Sequence, residues 1–484
     1  MDASRTGGRI VRNVGWSILS KVVVFSLKFI SVPILAHLLT PAEFGIVASG
    51  MVVISFLLLI GGAGLASGLV QAEKEDAEAH DTVFWTNLAV ASTLGLLLYF
   101  NAAFVAGLLG APEAAWLLQI FAFLFPIYLG ADVASALLSR RMAFARDAFW
   151  NVTSETLGAI AAIATAIAGF GVWALILQQF VSAVVRLIGL MVASRYRPRL
   201  RFSLLKLRAL FGYGSRIAGA DFANFISFQS PLVVITRALG LSDAGAYSVA
   251  NRLSDLPNQI VLSGLMGVLF PAFSTMAHEP ERRSHALQRS TQMTSVLLAP
   301  MLFGFWAVAE PAMSIVFGPQ WIFAWPVLGL LAVAKGIMTP CGSFIPFLKA
   351  TGHAGVLWWF ALARATIIVV GSWIGAMLAG LTGVCLALCI ANVFIMIGYA
   401  GVVFNVAKIP ARAAIHCVVL PLGSAILMAA LVRILLSYMR PHIASDLLLL
   451  LAGAAAGGAI YLALLLATQR SAISSLLALR RRQA

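Results

Sequence analysis

The chain has 484 residues, of which 61% are hydrophobic and only 11% are charged. An average globular chain carries about 25% charged residues, so 33 Lys+Arg and 18 Asp+Glu are too few to cover a soluble surface of this size. Most of the chain is therefore expected to lie in lipid. The net charge of +15 does not indicate nucleic-acid binding, because the basic residues form short clusters between apolar runs, without interleaved stacking aromatics.

The apolar runs predict an all-α, polytopic membrane protein. A helix needs roughly 20 apolar residues to cross the hydrocarbon core of a bilayer. Runs of this kind predict fourteen transmembrane helices, at residues 14–37, 44–70, 82–109, 115–138, 149–168, 171–193, 209–239, 244–275, 290–317, 322–348, 356–378, 382–404, 413–439 and 446–467. The first run is too long for a cleaved signal peptide and contains two lysines, so it is interpreted as the first helix.

Lysines and arginines in the loops predict the orientation. Nearly all of them fall in one set of alternate loops, which includes both ends of the chain, whereas the other set contains only Arg440. Basic residues concentrate on the cytoplasmic side of membrane proteins. Both termini are therefore predicted to be cytoplasmic.

Two internal matches predict a duplicated fold. Residues 34–50 align with 234–250 at an offset of 200, which pairs Glu43 with Asp243 and Gly45 with Gly245, and GVWALIL at 171–177 resembles GVCLALC at 383–389. Helices 1–6 would then match helices 7–12 in two lobes related by pseudo-two-fold symmetry, with two helices added. The predicted division is an N-lobe at 1–193, a basic linker at 194–208, a C-lobe at 209–404, two extra helices within 413–467 and a basic tail at 468–484.

Charged and amide side chains inside the predicted helices are the candidate substrate-binding residues. A charge at the bilayer centre costs about 2.5–3.5 kcal/mol, so these residues are expected to face a partner or a water-filled cavity for an anion. Helices 1, 7 and 8 carry most of them, and two of these three helices open a repeat. The candidates are Lys21, Lys28, Arg216, Asp221, Asn224, Arg252, Asp255, Asn258, Gln259, Lys335 and Arg364.

Each of these residues also has a purely structural interpretation. The lysines of helix 1 could pair with acids on neighbouring helices, and Arg252 could pair locally with Asp255. Lys335 and Arg364 are expected to be lone cations that either line the cavity or cap helix ends. Arg186, Arg237 and Arg433 lie near helix ends, where they are expected to reach the membrane surface.

Two acids are candidates for ion coupling. Asp132 and Glu155 lie in predicted helices 4 and 5, where they could bind a proton or sodium ion. The alternative is that they pair with Arg140, Arg141 or Arg146 at the cytoplasmic rim. No P-loop, zinc motif or disulfide framework is present in the sequence, so neither a cofactor nor a metal is expected.

Several stretches resemble bacterial polysaccharide flippases of the Wzx or polysaccharide-transporter type, in the multidrug/oligosaccharidyl-lipid/polysaccharide superfamily. The opening GWSILSKVVVFSLKFISVPILAHLLTPAEFGIVA is similar to their first helix pair, and SDAGAYSVANRLSDLP to their mid-chain region. The most specific pieces are Leu-Thr-Pro-Ala-Glu-Phe-Gly at 39–45 and Val-Leu-Phe-Pro-Ala-Phe-Ser at 268–274. The similarity runs over essentially the whole chain.

The resemblance implies a fold, an activity and partners. The fold would be a V-shaped bundle of two six-helix lobes around a central cavity, plus two extra helices, and the cavity would be cationic as in the related lipid flippases. The activity would be transfer of an undecaprenyl-pyrophosphate-linked oligosaccharide across the bacterial inner membrane by alternating access, for exopolysaccharide or lipopolysaccharide synthesis. Membrane lipid, and a polysaccharide polymerase and co-polymerase, would be its partners.

Two alternatives remain at this stage. A drug/cation antiporter of the same superfamily would need acids in its cavity, whereas helix 1 offers lysines. Membrane polysaccharide polymerases and ligases are characterised by a large outer loop, whereas every outer loop predicted for this chain is short. A non-enzymatic flippase is therefore favoured.

Overall fold

The protein is described from a computed structural model. It describes residue 20 and residues 22–24, 26–62, 65–71, 76–276, 279–443 and 445–468. Helices are the only regular structure in these ranges, which confirms the predicted all-α class. By its internal contacts the chain divides into two compact units, Met1–Gly245 and Ala246–Ala484. The division into lobes at a linker spanning 194–208 stays a prediction.

The described residues of the first unit form ten helices and the start of an eleventh. They are α1 (Val22–Leu38, residue 25 excepted), α2 (Pro41–Gly62), α3 (Leu65–Gln71), α4 (Ala77–Phe100), α5 (Ala102–Leu108), α6 (Ala115–Phe121), α7 (Leu124–Arg140), α8 (Phe144–Ile167), α9 (Trp173–Ser194), α10 (Leu204–Leu239) and α11 (Leu241–Thr275). A 3-10 turn, Pro112–Ala114, precedes α6. Buried Leu65, Val83 and Leu137 join α3, α4 and α7 in one core cluster.

The start of α2 shows how the Leu-Thr-Pro-Ala-Glu-Phe-Gly stretch acts locally. Thr40 Oγ1 accepts a hydrogen bond from the Glu43 backbone N–H (3.4 Å), and the Thr40 N–H donates to Glu43 Oε2 (2.7 Å). This reciprocal pair is a capping box, and Pro41 occupies the first helical position, where no N–H is needed. The stretch therefore specifies a helix start.

The two copies of the repeat meet at this helix start. A Cβ on Gly45 would lie 1.8 Å from the Leu241 carbonyl oxygen, and a Cβ on Gly245 would lie 1.8 Å from the Pro41 carbonyl oxygen. The offset of 200 pairs Pro41 with Leu241 and Gly45 with Gly245. The contact between Gly45 and Leu241 is therefore repeated by their repeat equivalents, Gly245 and Pro41. Such a reciprocal contact is what a two-fold repeat produces. Close by, the buried hydroxyls of Ser49 and Thr236 lie 2.9 Å apart.

Within the part of the second unit that the structure describes, the rest of α11 is followed by eight further helices. They are α12 (Pro280–Ala307), α13 (Ala309–Phe317), α14 (Trp325–Ile337), α15 (Cys341–Ala350), α16 (Ala354–Val406), α17 (Ala411–Ala414), α18 (Leu420–Met439) and α19 (Asp446–Thr468). A π-helical turn, Ile415–Val419, leads into α18. Its core packs α12, α15, α16, α18 and α19 around Phe303, Phe344, Phe347 and Ala429.

Several predicted spans are broken helices. α16 is interrupted at Ala379 and Gly380, and Gly380 has a left-handed φ of 57°, so it corresponds to the two predicted spans 356–378 and 382–404. The helix from Pro112 to Phe121 bends by 41° into α7, and α12 bends by 77° into α13. The two bends divide single predicted runs, which periodicity alone cannot detect, whereas the break in α16 falls between two predicted spans.

Every predicted span coincides with a helix or broken helix, as far as the described residues reach. By length and composition, eight helices in the described ranges could cross a membrane, or ten if each bent pair is one span. The chain is thus a multi-pass membrane protein, while the number fourteen stays a prediction.

Candidate functional site

Lys28 and Glu155 form an ion pair inside the first unit. Lys28 Nζ on α1 lies 3.0 Å from Glu155 Oε1 on α8. Glu155 is mostly buried, but 52% of the Lys28 side chain remains exposed. The expected pairing of a helix 1 lysine with a neighbouring acid is therefore observed for Lys28, whose ammonium can still meet a second anion. Lys21, its predicted companion, lies outside the described residues.

A polar network that the sequence interpretation missed joins α8 to α9. Arg186 donates to Asn151 Oδ1 (2.8 Å) and to Asp147 Oδ1 (3.3 Å). Asp147, Asn151 and Glu155 are spaced four residues apart, so they share one face of α8. This four-residue spacing is the sequence feature from which the polar face of α8 could have been predicted. Arg186 thus binds this face of α8, where Asp147 lies in the first turn, and its reach to the membrane surface stays a prediction.

Asp132, the other ion-coupling candidate, lies on α7. It is half-buried and within electrostatic reach of Arg186. At the last residue of α7, Arg140 donates to the Leu69 carbonyl (2.9 Å), and in the first turn of α8, Arg146 donates to the Ala193 carbonyl (3.4 Å). These arginines thus bind carbonyls near the ends of α3 and α9, where the helix dipole favours a cation.

In the second unit, Lys335 joins α14 to α11. Its Nζ lies 3.2 Å from Asp255 Oδ1 and donates to the Asn251 carbonyl (2.9 Å), while Gln259 donates to Asp255 Oδ2 (2.9 Å). The expectation that Lys335 is a lone cation is wrong. Asn251, Asp255 and Gln259 are one turn apart on α11, and only the packing of α14 brings a lysine to that face.

The other predicted cations of the second unit differ in accessibility. Arg252 on α11 is exposed. Arg364 on α16 is half-buried and lies within electrostatic reach of Tyr247, Cys341 and Tyr399. It has polar surroundings, so describing it as a lone cation is also wrong.

For the remaining candidates, the structure describes only the helix or the exposure of the side chain. Asn224 on α10 is exposed, and Asn258 on α11 is half-buried. Arg216 and Asp221 belong to α10, but their side chains lie outside the described set. The guanidinium of Arg433 lies over the rings of Trp306 (5.3 Å) and Trp325 (4.6 Å), and its expected position at the membrane surface stays a prediction.

No metal centre is evident in the described part of the chain, where His, Cys, Asp and Glu form no group of three that could hold an ion. The four cysteines are free. The arrangement that is present consists of ammonium and guanidinium groups on apolar helices; Lys28, Arg186 and Lys335 lie near acids, Arg364 near tyrosine hydroxyls and Arg433 over indole rings. Such groups can bind an anion by exchange of partners, and they suit an anionic ligand better than a cationic one.

Solved structures share this fold. The chain aligns with the lipid II flippase MurJ in an inward closed conformation, with a TM-score of 0.74, 13% identity, and coverage of 96% of this chain and 100% of that chain. An inward-facing multidrug resistance MATE family transporter of the MOP superfamily gives a TM-score of 0.62 at 17% identity, covering 80% of this chain and 95% of that one. At these identities the likeness concerns the fold. The protein is therefore a polytopic α-helical membrane protein with the fold that these two transporters share.

The particular family follows from the sequence comparisons. Residues 34–326 match the model of the family described as polysaccharide biosynthesis protein. The succinoglycan biosynthesis transport protein ExoT of Rhizobium meliloti is 52% identical over 97% of this chain and 95% of the relative. The lipopolysaccharide biosynthesis protein WzxC of Escherichia coli is 23% identical over 80% and 79%. The chain belongs to the polysaccharide biosynthesis protein family.

Proposed function

We propose that this protein is a flippase for an undecaprenyl-pyrophosphate-linked oligosaccharide repeat unit in exopolysaccharide or lipopolysaccharide synthesis. The observation that carries the proposal is the 52% identity, over nearly the full length of both chains, to a relative named as a succinoglycan biosynthesis transport protein. The membrane is the bacterial inner membrane, and both termini are cytoplasmic. A polymerase and co-polymerase would receive the translocated unit.

The cations on the helices support an anionic, diphosphate-bearing substrate. Lys28 is half-exposed and Arg252 is exposed, although both lie on helices predicted to span the membrane. A diphosphate offers several oxygens to these groups, and charge-assisted hydrogen bonds of this kind are about twice as strong as neutral ones. Lys335 would hold Asp255 and Gln259 in position for sugar hydroxyls. Lys21, Arg216, Asp221, Asn224, Asn258 and Arg364 complete the proposed binding set.

Ion coupling is assigned to the first unit. Glu155 neutralises Lys28, and Asp132 lies within electrostatic reach of Arg186. A substrate anion that displaces Glu155 from Lys28 would leave a carboxylate able to take up a proton or sodium ion. Binding of the anion and uptake of the cation would thus be linked through one ion pair.

The test is complementation of a flippase-deficient exopolysaccharide producer. Lys28→Ala and Arg252→Ala are expected to abolish export and to accumulate lipid-linked repeat units, with normal protein levels. Arg282→Ala is the matched control, since Arg282 binds only the exposed Glu279 among its described partners (3.1 Å). Wild-type export from both variants would contradict the proposed binding set.

A second variant separates substrate binding from packing. Because Glu155 is also assigned to ion coupling, the double variant Lys28→Ala/Glu155→Gln is compared with Glu155→Gln alone. If Lys28 only neutralises Glu155, the two variants export equally; if Lys28 binds the diphosphate, the double variant exports less. Lys28→Arg, which keeps the charge, is expected to retain part of the activity.

The antiporter alternative predicts a different phenotype. Its support is the MATE likeness, which concerns the fold alone. Ethidium efflux from cells that express the protein, without complementation of polysaccharide export, would favour the antiporter over the flippase. The names of the relatives refer to transport and biosynthesis and not to a bond-forming enzyme. We therefore assign the protein a transport role.

A further inference from the structure

The segment that joins α9 to α10 carries a regular run of arginines. We call residues 195–205 the arginine comb. Its arginines occupy alternate positions and are all exposed. They are Arg195, Arg197, Arg199 and Arg201. The segment begins directly after Ser194, the last residue of the apolar helix Trp173–Ser194, so it starts where a membrane span ends.

The backbone of the arginine comb is held by the first turns of α4. Asp81 Oδ1 accepts hydrogen bonds from the Tyr196 hydroxyl (2.9 Å) and from the Arg199 backbone N–H (3.2 Å). Trp85 Nε1 donates to the Arg199 carbonyl (2.7 Å), and the Ser203 N–H donates to Thr82 Oγ1 (3.0 Å). These four bonds fix the segment without using the arginine guanidinium groups.

A salt bridge adjoins the comb on α10. Lys206 contacts both Asp76 and Glu78 at the start of α4. The hydrogen bond from Lys206 lowers the pKa of Asp76, and the two acids raise the pKa of Lys206. Burial, together with the hydrogen bond to Asp81, raises the pKa of Tyr196, which stays a donor. The local acids are thus occupied by Tyr196 and Lys206.

Large apolar side chains project from the same segment. Leu200 is 87% exposed, Leu205 81%, Phe202 58% and Leu204 54%. Neighbouring exposed apolar side chains in an otherwise anchored segment indicate an interaction surface. A nucleic-acid or free-phosphate site would have no use for these leucines, whereas the membrane surface accepts both apolar and cationic groups.

We propose that the arginine comb docks on anionic phospholipid headgroups of the leaflet at the end of α9. Leu200, Phe202 and Leu205 insert into the boundary between headgroups and acyl chains, and the four arginines bind lipid phosphates. Guanidinium groups suit this role because they pair bidentately with phosphate oxygens. Each arginine close to an anionic surface strengthens the association about fivefold. The comb anchors the first turns of α4 to the membrane surface.

The test uses the full chain in vesicles of phosphatidylcholine, with and without phosphatidylglycerol. Leu200→Cys, in a background with the four native cysteines replaced, is labelled with an environment-sensitive fluorophore. With phosphatidylglycerol present, the emission is expected to shift to the blue, and nitroxide lipids labelled near the headgroup should quench it at least twofold more than without it. High salt should reverse most of this difference, since headgroup charges are screened.

A variant and a control probe isolate the arginines. Changing Arg195, Arg197, Arg199 and Arg201 to Gln keeps the backbone bonds to α4 and is expected to abolish the dependence on phosphatidylglycerol. The same fluorophore at Glu281→Cys, an exposed position next to Arg282, should respond equally to both vesicles.

Three results would overturn the assignment. The first is equal emission and quenching in the two vesicle types for the chain with its arginines. The second is retention of the phosphatidylglycerol effect in the Gln variant. The third is a shift caused by inorganic pyrophosphate in phosphatidylcholine alone, which would identify the comb as a site for soluble diphosphates.

Discussion

The contact between the two helix starts is sensitive to a single methyl group. In Gly45→Ala the new Cβ would lie 1.8 Å from the Leu241 carbonyl oxygen. An ordinary carbon–oxygen contact is about 3.3–3.6 Å, so the starts of α2 and α11 must separate by about 1.5 Å. Forcing a group into a packed site costs about 1–3 kcal/mol. Gly245→Ala makes the equivalent clash with the Pro41 carbonyl and should cost the same.

The double variant sharpens this expectation. One separation of the two helix starts relieves both clashes, so Gly45→Ala/Gly245→Ala should cost little more than either single change, a clear departure from additivity. Gly107→Ala is the control, because a Cβ there meets nothing within 4 Å and alanine favours the helix by up to about 1 kcal/mol.

Thermal unfolding of the purified full chain in detergent measures these costs. Each kcal/mol lost lowers the Tm by about 2–4 °C for a unit of this size. Each single variant should therefore unfold several degrees below the wild type, and Gly107→Ala should not. A Tm for Gly45→Ala equal to that of Gly107→Ala would refute the close contact. Additive losses in the double variant would refute the shared separation.

Three further changes test other contacts. Asp81→Ala removes the carboxylate that accepts a hydrogen bond from the Arg199 backbone N–H. A hydrogen bond to a charged group contributes about 1.5–3 kcal/mol, so hydrogen exchange of the Arg199 amide should become at least tenfold faster. Asp81→Asn keeps an acceptor oxygen and should preserve most of the protection of this amide. Because the pKa of Asp76 is lowered and that of Lys206 raised, their contact should be complete between about pH 4 and 10. It should be lost as pH falls through the lowered pKa of Asp76 or rises through that of Lys206, which amide exchange at the start of α4 would report. Lys335→Met leaves its partner carboxylate on α11 without a cation and should lower the Tm by several degrees, because unpaired charges away from water are costly; an unchanged Tm would contradict the pair.

The helices were predictable from local chemistry. Apolar runs long enough to span a bilayer, interrupted by Pro and Gly, located nearly every helix, since a backbone in lipid must satisfy its own hydrogen bonds. The repeat was also visible locally, because Gly45 and Gly245 occupy matching positions. The contact between the two repeat copies could not be predicted, because it depends on how two helix starts that are distant in the sequence pack against each other.

The sequence by itself determined that this is a multi-pass helical protein with cations among apolar helices, and it indicated the family. Only the tertiary structure decided the partner of each cation. It paired Lys28 with Glu155, 127 positions further along the chain, and it paired Lys335 with Asp255, for which the spacing along a helix had suggested only a local pair with Arg252. Helical periodicity shows which residues share one face of a helix. Which other helix packs against that face depends on long-range packing, which no local pattern encodes.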